Sequence, residues 1–188
     1  APHTETTNPQ ATAPEWAKKA VIYEVNIRQY TPEGTFNAFA QHLPRLKEMG
    51  VDILWLMPIH PIGEKNRKGT LGSYYSIKDY TATNPNYGTI DDFKKLVDEA
   101  HQLGMKVIID WVANHSAWDN NWVSEHPEWY KKNEKGEIHA YTYKSGENVE
   151  YWTDVVGFDF DNKALWQGMT DAMLFWVKQT DIDGFRCD

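Results

Sequence analysis

The chain has 188 residues, a net charge of −8 and a hydrophobic content of 41%, which is enough for one domain with a buried core. The acidic balance argues against nucleic acid or an anionic membrane as a partner, because both bind basic patches. No apolar run reaches the roughly 18 residues that indicate a membrane-spanning helix. Cys187 is the single cysteine, so no intrachain disulfide is possible and the redox compartment stays open.

Residues 1–14 are rich in Thr, Pro, Ala and Asn and have no apolar period, which is typical of a flexible leader. We expect this leader to extend over residues 1–19 and the folded unit to occupy residues 20–188. Such a leader suits an exported protein whose signal peptide has been removed, although the compartment is not determined.

The rest of the chain alternates strands with helices. Apolar, β-branched runs predict strands at residues 20–25, 51–56, 105–110 and 182–188. Helical spacing predicts helices at residues 36–49, 89–103 and 164–180. Thr89 is the expected N-cap of the second helix. This alternation predicts an α/β fold with a parallel sheet, either a doubly wound open sheet or part of a barrel.

Two loops are far longer than the roughly 2–6 residues usual in such folds. They cover residues 58–88 and 111–162, and each follows the carboxyl end of a strand, where α/β enzymes build their sites. The second loop is long enough to contain a small inserted subdomain, which we place at residues 116–160.

The last strand carries the first candidate site. Arg186 and Asp188 are two residues apart, so their side chains point to the same side of a strand. A neighbouring cation keeps a carboxylate ionised, as a carboxylate nucleophile requires. A purely structural ion pair is the alternative.

A second cluster, Asp110, Asn114 and His115, leaves the end of the third strand. Metal ligation, hydrogen bonding to a substrate hydroxyl and loop capping all remain open for it. A zinc site would need further His or Cys at ligand spacing, and none accompanies His115. The adjacent Tyr74 and Tyr75 are either stacking faces for a sugar or packing residues, and the same two interpretations apply to the nine tryptophans of the chain.

These clusters, in this order, resemble the α-amylase superfamily of glycoside hydrolases. The resemblance covers residues 20–188. The segments that carry it are Trp55-Leu-Met-Pro58, Tyr75-x-x-x-Asp79-Tyr80, Asp110-x-x-x-Asn114-His115, Phe158-Asp-Phe-Asp161-Asn162 and Gly184-Phe185-Arg186-x-Asp188.

The resemblance implies a role for each candidate. Asp188 would be the nucleophile that forms the glycosyl-enzyme intermediate, and Arg186 would orient it. Tyr75, His115 and Asp110 would be the substrate-binding set, with Asp110 acting mainly by supporting the arginine.

The resemblance also implies the N-terminal half of a (β/α)₈ TIM barrel, completed by strands 5–8, and an α-glucan as substrate. The family places its acid/base Glu on a later strand. Because retention needs two carboxyl groups, the 188 residues alone are expected to be inactive. Asn114 is a calcium ligand in many members of the family, so calcium is the one cofactor implied, and the identity of any metal ligand is otherwise unknown.

Two other readings compete with an enzyme on α-glucans. A catalytically silent relative would bind glucan or assemble with a partner, but the nucleophile position is intact here. A doubly wound nucleotide-binding protein would carry a Gly-rich phosphate loop after its first strand, where this chain has Asn26-Ile-Arg-Gln-Tyr30.

Overall fold

The computed structural model describes residues 12–188, so residues 1–11 of the predicted leader lie outside the described part. The described strands are β1 (Ile22–Val25), β2 (Ile53–Leu56), β3 (Lys106–Trp111), β4 (His115–Ala117), β5 (Ala140–Ser145), β6 (Asn148–Gly157) and β7 (Gly184–Cys187). The α-helices are α1 (Ile27–Tyr30), α2 (Phe36–Ala40), α3 (Leu43–Glu48), α4 (Ile90–Gln102), α5 (Asn121–Glu125) and α6 (Lys163–Thr180). None of the helices in residues 12–188 combines the length and apolar character needed to cross a membrane.

Four strands form a parallel sheet in the order β1-β2-β3-β7. Between them the chain passes through α2 and α3, then α4, then α6, as the predicted alternation requires. Each new strand is added beside the previous one. A doubly wound sheet reverses its strand order at a switch point, whereas a barrel wall does not. The prediction of one half of a (β/α)₈ barrel is therefore confirmed.

The first predicted helix, residues 36–49, is wrong as a single element. The chain turns between α2 and α3, and Pro44 lies in the first turn of α3. Proline has no N–H to donate and its ring clashes with the carbonyl four residues earlier, so a helix does not continue through it. The helical spacing had predicted one apolar stripe of five residues. Four of them stay buried across the break (Phe36, Phe39, Leu43 and Leu46), whereas Met49 at the end of α3 is 62% exposed.

Helix α4 begins at its predicted cap. Thr89 Oγ1 accepts a hydrogen bond from Asp92 N at 3.1 Å, and Asp92 Oδ2 accepts one from Thr89 N at 2.9 Å. This capping box satisfies backbone donors that have no partner inside the helix.

The core lies between the parallel sheet and the helices. The strand residues that contribute to it are fully buried: Leu54, Leu56, Val107, Ile109 and Trp111. They pack with helix residues that include Phe36, Phe39, Phe93, Leu96 and Trp176. Because successive strand residues point to opposite faces, Trp55, Asp110 and Arg186 lie on the other face of the sheet. The candidate site is built on that face.

A second, antiparallel sheet follows β3, with strand order β4-β6-β5. It spans residues 115–157 and so overlaps the range of 116–160 predicted for the inserted subdomain. Because β4 begins only five residues after Asp110, this small sheet lies at the carboxyl edge of the parallel sheet.

Candidate active site

Asp110 and Arg186 are cross-strand neighbours, because the register of β3 and β7 pairs their Cα atoms. Arg186 Nη1 lies 3.2 Å from Asp110 Oδ1 and 2.8 Å from Asp188 Oδ1. The shared side predicted for Arg186 and Asp188 is therefore present in the structure. One guanidinium holds two carboxylates that come from the ends of adjacent strands.

Asp110 is fully buried and surrounded by donors. Its Oδ2 accepts hydrogen bonds from Trp55 Nε1 at 3.1 Å and from the Tyr75 hydroxyl at 3.0 Å, in addition to those from Arg186. Burial raises the pKa of Asp110, against the lowering by Tyr75, Arg186 and Trp55. The Asp110 carboxylate on β3 thus links β2, β7 and the loop after β2 through hydrogen bonds.

Arg186 is fixed both by charge and by an aromatic face. Desolvation lowers the pKa of the guanidinium, but the charges and hydrogen bonds of Asp110 and Asp188 raise it by more, so Arg186 stays charged. Its Cζ lies 4.8 Å from the centroid of the Trp55 ring, a cation–π contact. Asp188 keeps 36% of its side chain exposed while it accepts the hydrogen bond from Arg186.

Only one of the two adjacent tyrosines reaches this cluster. Tyr75 donates to Asp110, and burial together with the charge of Asp110 raises the pKa of Tyr75, so its hydroxyl remains a donor. Tyr74 instead lies against Arg28, whose Cζ is 4.7 Å from the ring centroid. Tyr74 is therefore a packing residue, whereas stacking on a sugar is still a possible role for the Tyr75 ring.

His115 opens β4 and is 5% exposed. Its Nδ1 lies 3.0 Å from Asn114 Nδ2. Burial lowers the pKa of His115, opposed by the charges of Asp188 and Asp154. At neutral pH the ring is therefore neutral and acts as a hydrogen-bonding group.

A cavity of about 450 Å³ opens beside these residues at the carboxyl end of the strands. Its lining consists of Lys68, Gly72, Ser73, Tyr75, His115, Trp152, Asp154, Val155 and Asp188. Three predicted residues, Tyr75, His115 and Asp188, converge there. Arg186 and Asp110 do not line the cavity but hold Asp188 and Tyr75 in place. The volume is within the range of about 300–1,000 Å³ typical of small-ligand sites.

Three of the charged and aromatic residues in the lining had not been predicted from the sequence: Lys68, Trp152 and Asp154. Lys68 Nζ lies 3.8 Å from Asp154 Oδ1, so the loop after β2 meets β6 at the rim of the cavity. No sequence motif includes these positions. The two long loops predicted only that a site lies at the carboxyl end of the strands. The two-residue spacing of Trp152 and Asp154, which places both on one face of a strand, was the available signal.

The calcium ligand implied at Asn114 lacks a fitting set of partners in the described residues. Asn114 is exposed and its amide contacts His115. Calcium takes about 6–8 oxygen ligands, largely from carboxylates. Within residues 12–188 no group of three or more Asp, Glu, His or Cys side chains is arranged to hold a metal ion. Calcium at Asn114 stays a prediction and has no part in the mechanism below.

Parallel strands added in sequence, with helical crossovers and polar side chains gathered at their carboxyl ends, are the arrangement of one half of a (β/α)₈ barrel. The chain matches the family model for the alpha-amylase catalytic domain over residues 5–188. It belongs to this family.

Solved structures agree with this assignment. An α-amylase from Lactobacillus plantarum is 48% identical, with a TM-score of 0.81 over 90% of this chain and 38% of that chain. A maltogenic α-amylase from Thermotoga neapolitana is 44% identical, with a TM-score of 0.80 over the same shares of the two chains.

A curated relative, the alpha-1,4-glucan:maltose-1-phosphate maltosyltransferase of Rhodospirillum rubrum, is 37% identical over 93% of this chain and 28% of its own length. These relatives are α-glucan-active enzymes. The chain spans between 28% and 38% of their lengths.

Proposed function

We propose that the polypeptide containing this chain hydrolyses or transfers the glucosyl units of α-glucans, such as starch or maltooligosaccharides, with retention of configuration. Asp188 carries the proposal, because this carboxylate faces the cavity while Arg186 holds one of its oxygens at 2.8 Å. The names of the relatives support an α-glucan as the substrate.

In the proposed reaction, a carboxylate oxygen of Asp188 attacks the anomeric carbon as the glycosidic C–O bond breaks. The leaving oxygen takes a proton from a second carboxylic acid. Water or a sugar hydroxyl then attacks the glycosyl ester and gives its proton to that second carboxylate, which releases Asp188.

The surrounding residues would position the reacting groups. Arg186 binds Oδ1 of Asp188 and leaves the other carboxylate oxygen for the anomeric carbon. Asp110 acts through Arg186 and Tyr75, since it is fully buried beneath them. We assign to His115 Nε2 a hydrogen bond to a sugar hydroxyl, and to the Tyr75 ring a stacking contact with the same sugar.

A retaining mechanism needs a second carboxyl group about 5–5.5 Å from the nucleophile. Asp110 is enclosed by its donors, and Asp154 lies beside the Lys68 ammonium, so neither suits a proton donor facing the scissile bond. We place the acid/base in the part of the barrel that residues 12–188 do not contain. The 188 residues alone should then show no turnover.

Proton NMR of maltooligosaccharides incubated with the full-length polypeptide tests the proposal. We expect α-anomeric reducing ends from the parent, and turnover at least about a thousandfold slower from Asp188→Asn, because the nucleophile is lost.

Asp181→Asn is the matched control. Asp181 is 79% exposed and has a φ of 60°, a conformation that asparagine tolerates, so this variant should keep the parent rate. A β-anomeric product would rule out retention. Absence of turnover on α-1,4, α-1,6 and sucrose-type substrates would leave a glucan-binding or assembly role.

A further inference from the structure

Trp55 lies on β2, two strands away from Arg186 in the order β2-β3-β7. Neighbouring strands are about 4.8 Å apart, so the backbones of β2 and β7 are separated by about 10 Å. The Arg186 Cζ nevertheless lies 4.8 Å from the centroid of the Trp55 ring. The arginine side chain therefore extends across β3, over Asp110, and ends against the indole.

The Trp55 ring contacts both members of the Asp110–Arg186 ion pair. Its Nε1 donates a hydrogen bond to Asp110 Oδ2 at 3.1 Å, while its face lies against the guanidinium of Arg186. The N–H lies in the plane of a rigid indole and the π-face is perpendicular to it, so the two contacts fix the carboxylate and the guanidinium relative to each other. Tryptophan is also the aromatic residue that binds a cation most strongly.

The orientation of the guanidinium matters because one arginine nitrogen serves two carboxylates. Arg186 Nη1 lies 3.2 and 3.3 Å from the two oxygens of Asp110 and 2.8 Å from Asp188 Oδ1. Guanidinium and carboxylate groups favour a bidentate arrangement, with two parallel hydrogen bonds. Asp110 is fully buried, whereas 36% of the Asp188 side chain is exposed. Because a buried charge is costly without a partner, an unrestrained arginine would turn its fork towards Asp110 and withdraw Nη1 from Asp188.

We propose that Trp55 is a positioning residue of the candidate active site. The indole holds the Arg186 guanidinium in an orientation that keeps Nη1 on Asp188 and directs the other oxygen of Asp188 towards the anomeric carbon. Trp55 is not among the described residues that line the cavity, so it acts through Arg186 and Asp110 and not on the sugar. The inference rests on the proposed function and adds to it a residue from β2.

The kinetic test substitutes Trp55 in the full-length polypeptide and measures kcat and KM for maltoheptaose. Trp55→Leu removes the aromatic face and the N–H donor. It should lower kcat about 10- to 100-fold and leave KM within about twofold of the parent, because the contacts with the sugar remain. Trp55→Phe keeps an aromatic face and should be only about 2- to 10-fold slower than the parent. The phenylalanine variant also carries the test if the leucine variant does not fold.

Trp166→Phe is the matched control. Trp166 on α6 is 60% exposed and donates its indole N–H to the Phe160 carbonyl at 2.7 Å. The same substitution there removes an indole donor in the outer layer of helices, so kcat should match that of the parent. Parent-like kcat in both Trp55 variants, or a loss confined to KM, in a parent that turns glucan over, would overturn the inference and leave the proposed function intact.

A double-mutant cycle separates positioning through Arg186 from an independent effect of Trp55 on packing. In the Arg186→Lys background, Trp55→Leu should lower kcat only about threefold or less, because the guanidinium that the ring holds is already absent. Losses that multiply independently would overturn the inference, since Trp55 would then act on the site by another route. Absence of turnover in the parent is a different outcome, which would overturn the proposed function and this inference with it.

Discussion

His60 makes the folded protein sensitive to acid. It lies 1% exposed among aromatic rings, with centroids 5.6 Å from Trp111 and 5.4 Å from Trp176. Its Nδ1 donates to the Ala82 carbonyl at 3.2 Å, which ties the end of β2 to the long loop that follows it. Its Nε2 is buried and has no hydrogen-bond partner among residues 12–188. Burial lowers the pKa of His60 from 6.5 to about 4, opposed by the hydrogen bond to Ala82 and the charge of Asp79.

The lowered pKa sets the direction and size of the effect. Between pH 6.5 and about 4 the unfolded chain binds a proton at His60 that the folded chain does not, so the free energy of unfolding falls as the pH falls. Each pKa unit is worth about 1.36 kcal/mol, so the loss attributable to His60 is about 3 kcal/mol and is complete near pH 4.

Urea unfolding of the full-length polypeptide from pH 4 to pH 8, followed by tryptophan fluorescence, measures this loss. Other groups titrate over the same range, so the informative quantity is the difference between the parent and His60→Phe. The phenylalanine variant keeps the ring and removes the titration. We expect the parent to lose about 3 kcal/mol more than the variant between pH 7 and pH 4. Equal losses in the two proteins would refute a buried, neutral His60.

Two further substitutions test packing and positioning. Gly168→Ala should destabilise the protein by about 1–2 kcal/mol in chemical unfolding, because the new Cβ would lie 2.4 Å from Trp129 Cη2. This overpacking outweighs the gain in helix propensity. A stabilised variant would show that the Trp129 ring moves aside freely. Arg186→Lys should lower kcat/KM about 10- to 100-fold with little change in Tm, because an ammonium keeps the charge but does not reproduce the planar contacts with Asp110, Asp188 and Trp55. Parent-like kinetics in that variant would mean that charge alone positions Asp188.

The candidate site could be predicted in part because its residues lie near strand ends. Arg186 and Asp188 share a side through the two-residue repeat of a strand, and Asp110 and His115 leave the end of a neighbouring strand. Such short-range geometry is set by the backbone, so it can be read before any fold is known. The roles of these residues remain proposals.

The cavity residues on β6 could not be predicted in this way. Trp152 and Asp154 lie more than thirty residues from His115 in sequence and reach the cavity only because β6 pairs with β4. Tyr74 and Tyr75 could not be distinguished for the same reason. They are adjacent in sequence, but in the fold Tyr75 contacts Asp110 and Tyr74 contacts Arg28.

The amino-acid sequence by itself determined the alternation of strands and helices, the cap at Thr89 and the shared side of Arg186 and Asp188, because periodicity, capping and strand alternation act over a few residues. The tertiary structure alone decided the barrel-like strand order and the burial of Asp110 beneath Arg186 and Tyr75. It also brought Lys68, Trp152 and Asp154 next to the predicted residues around one cavity. Those features depend on which distant segments pack together, and packing is settled by the whole core and not by any local pattern.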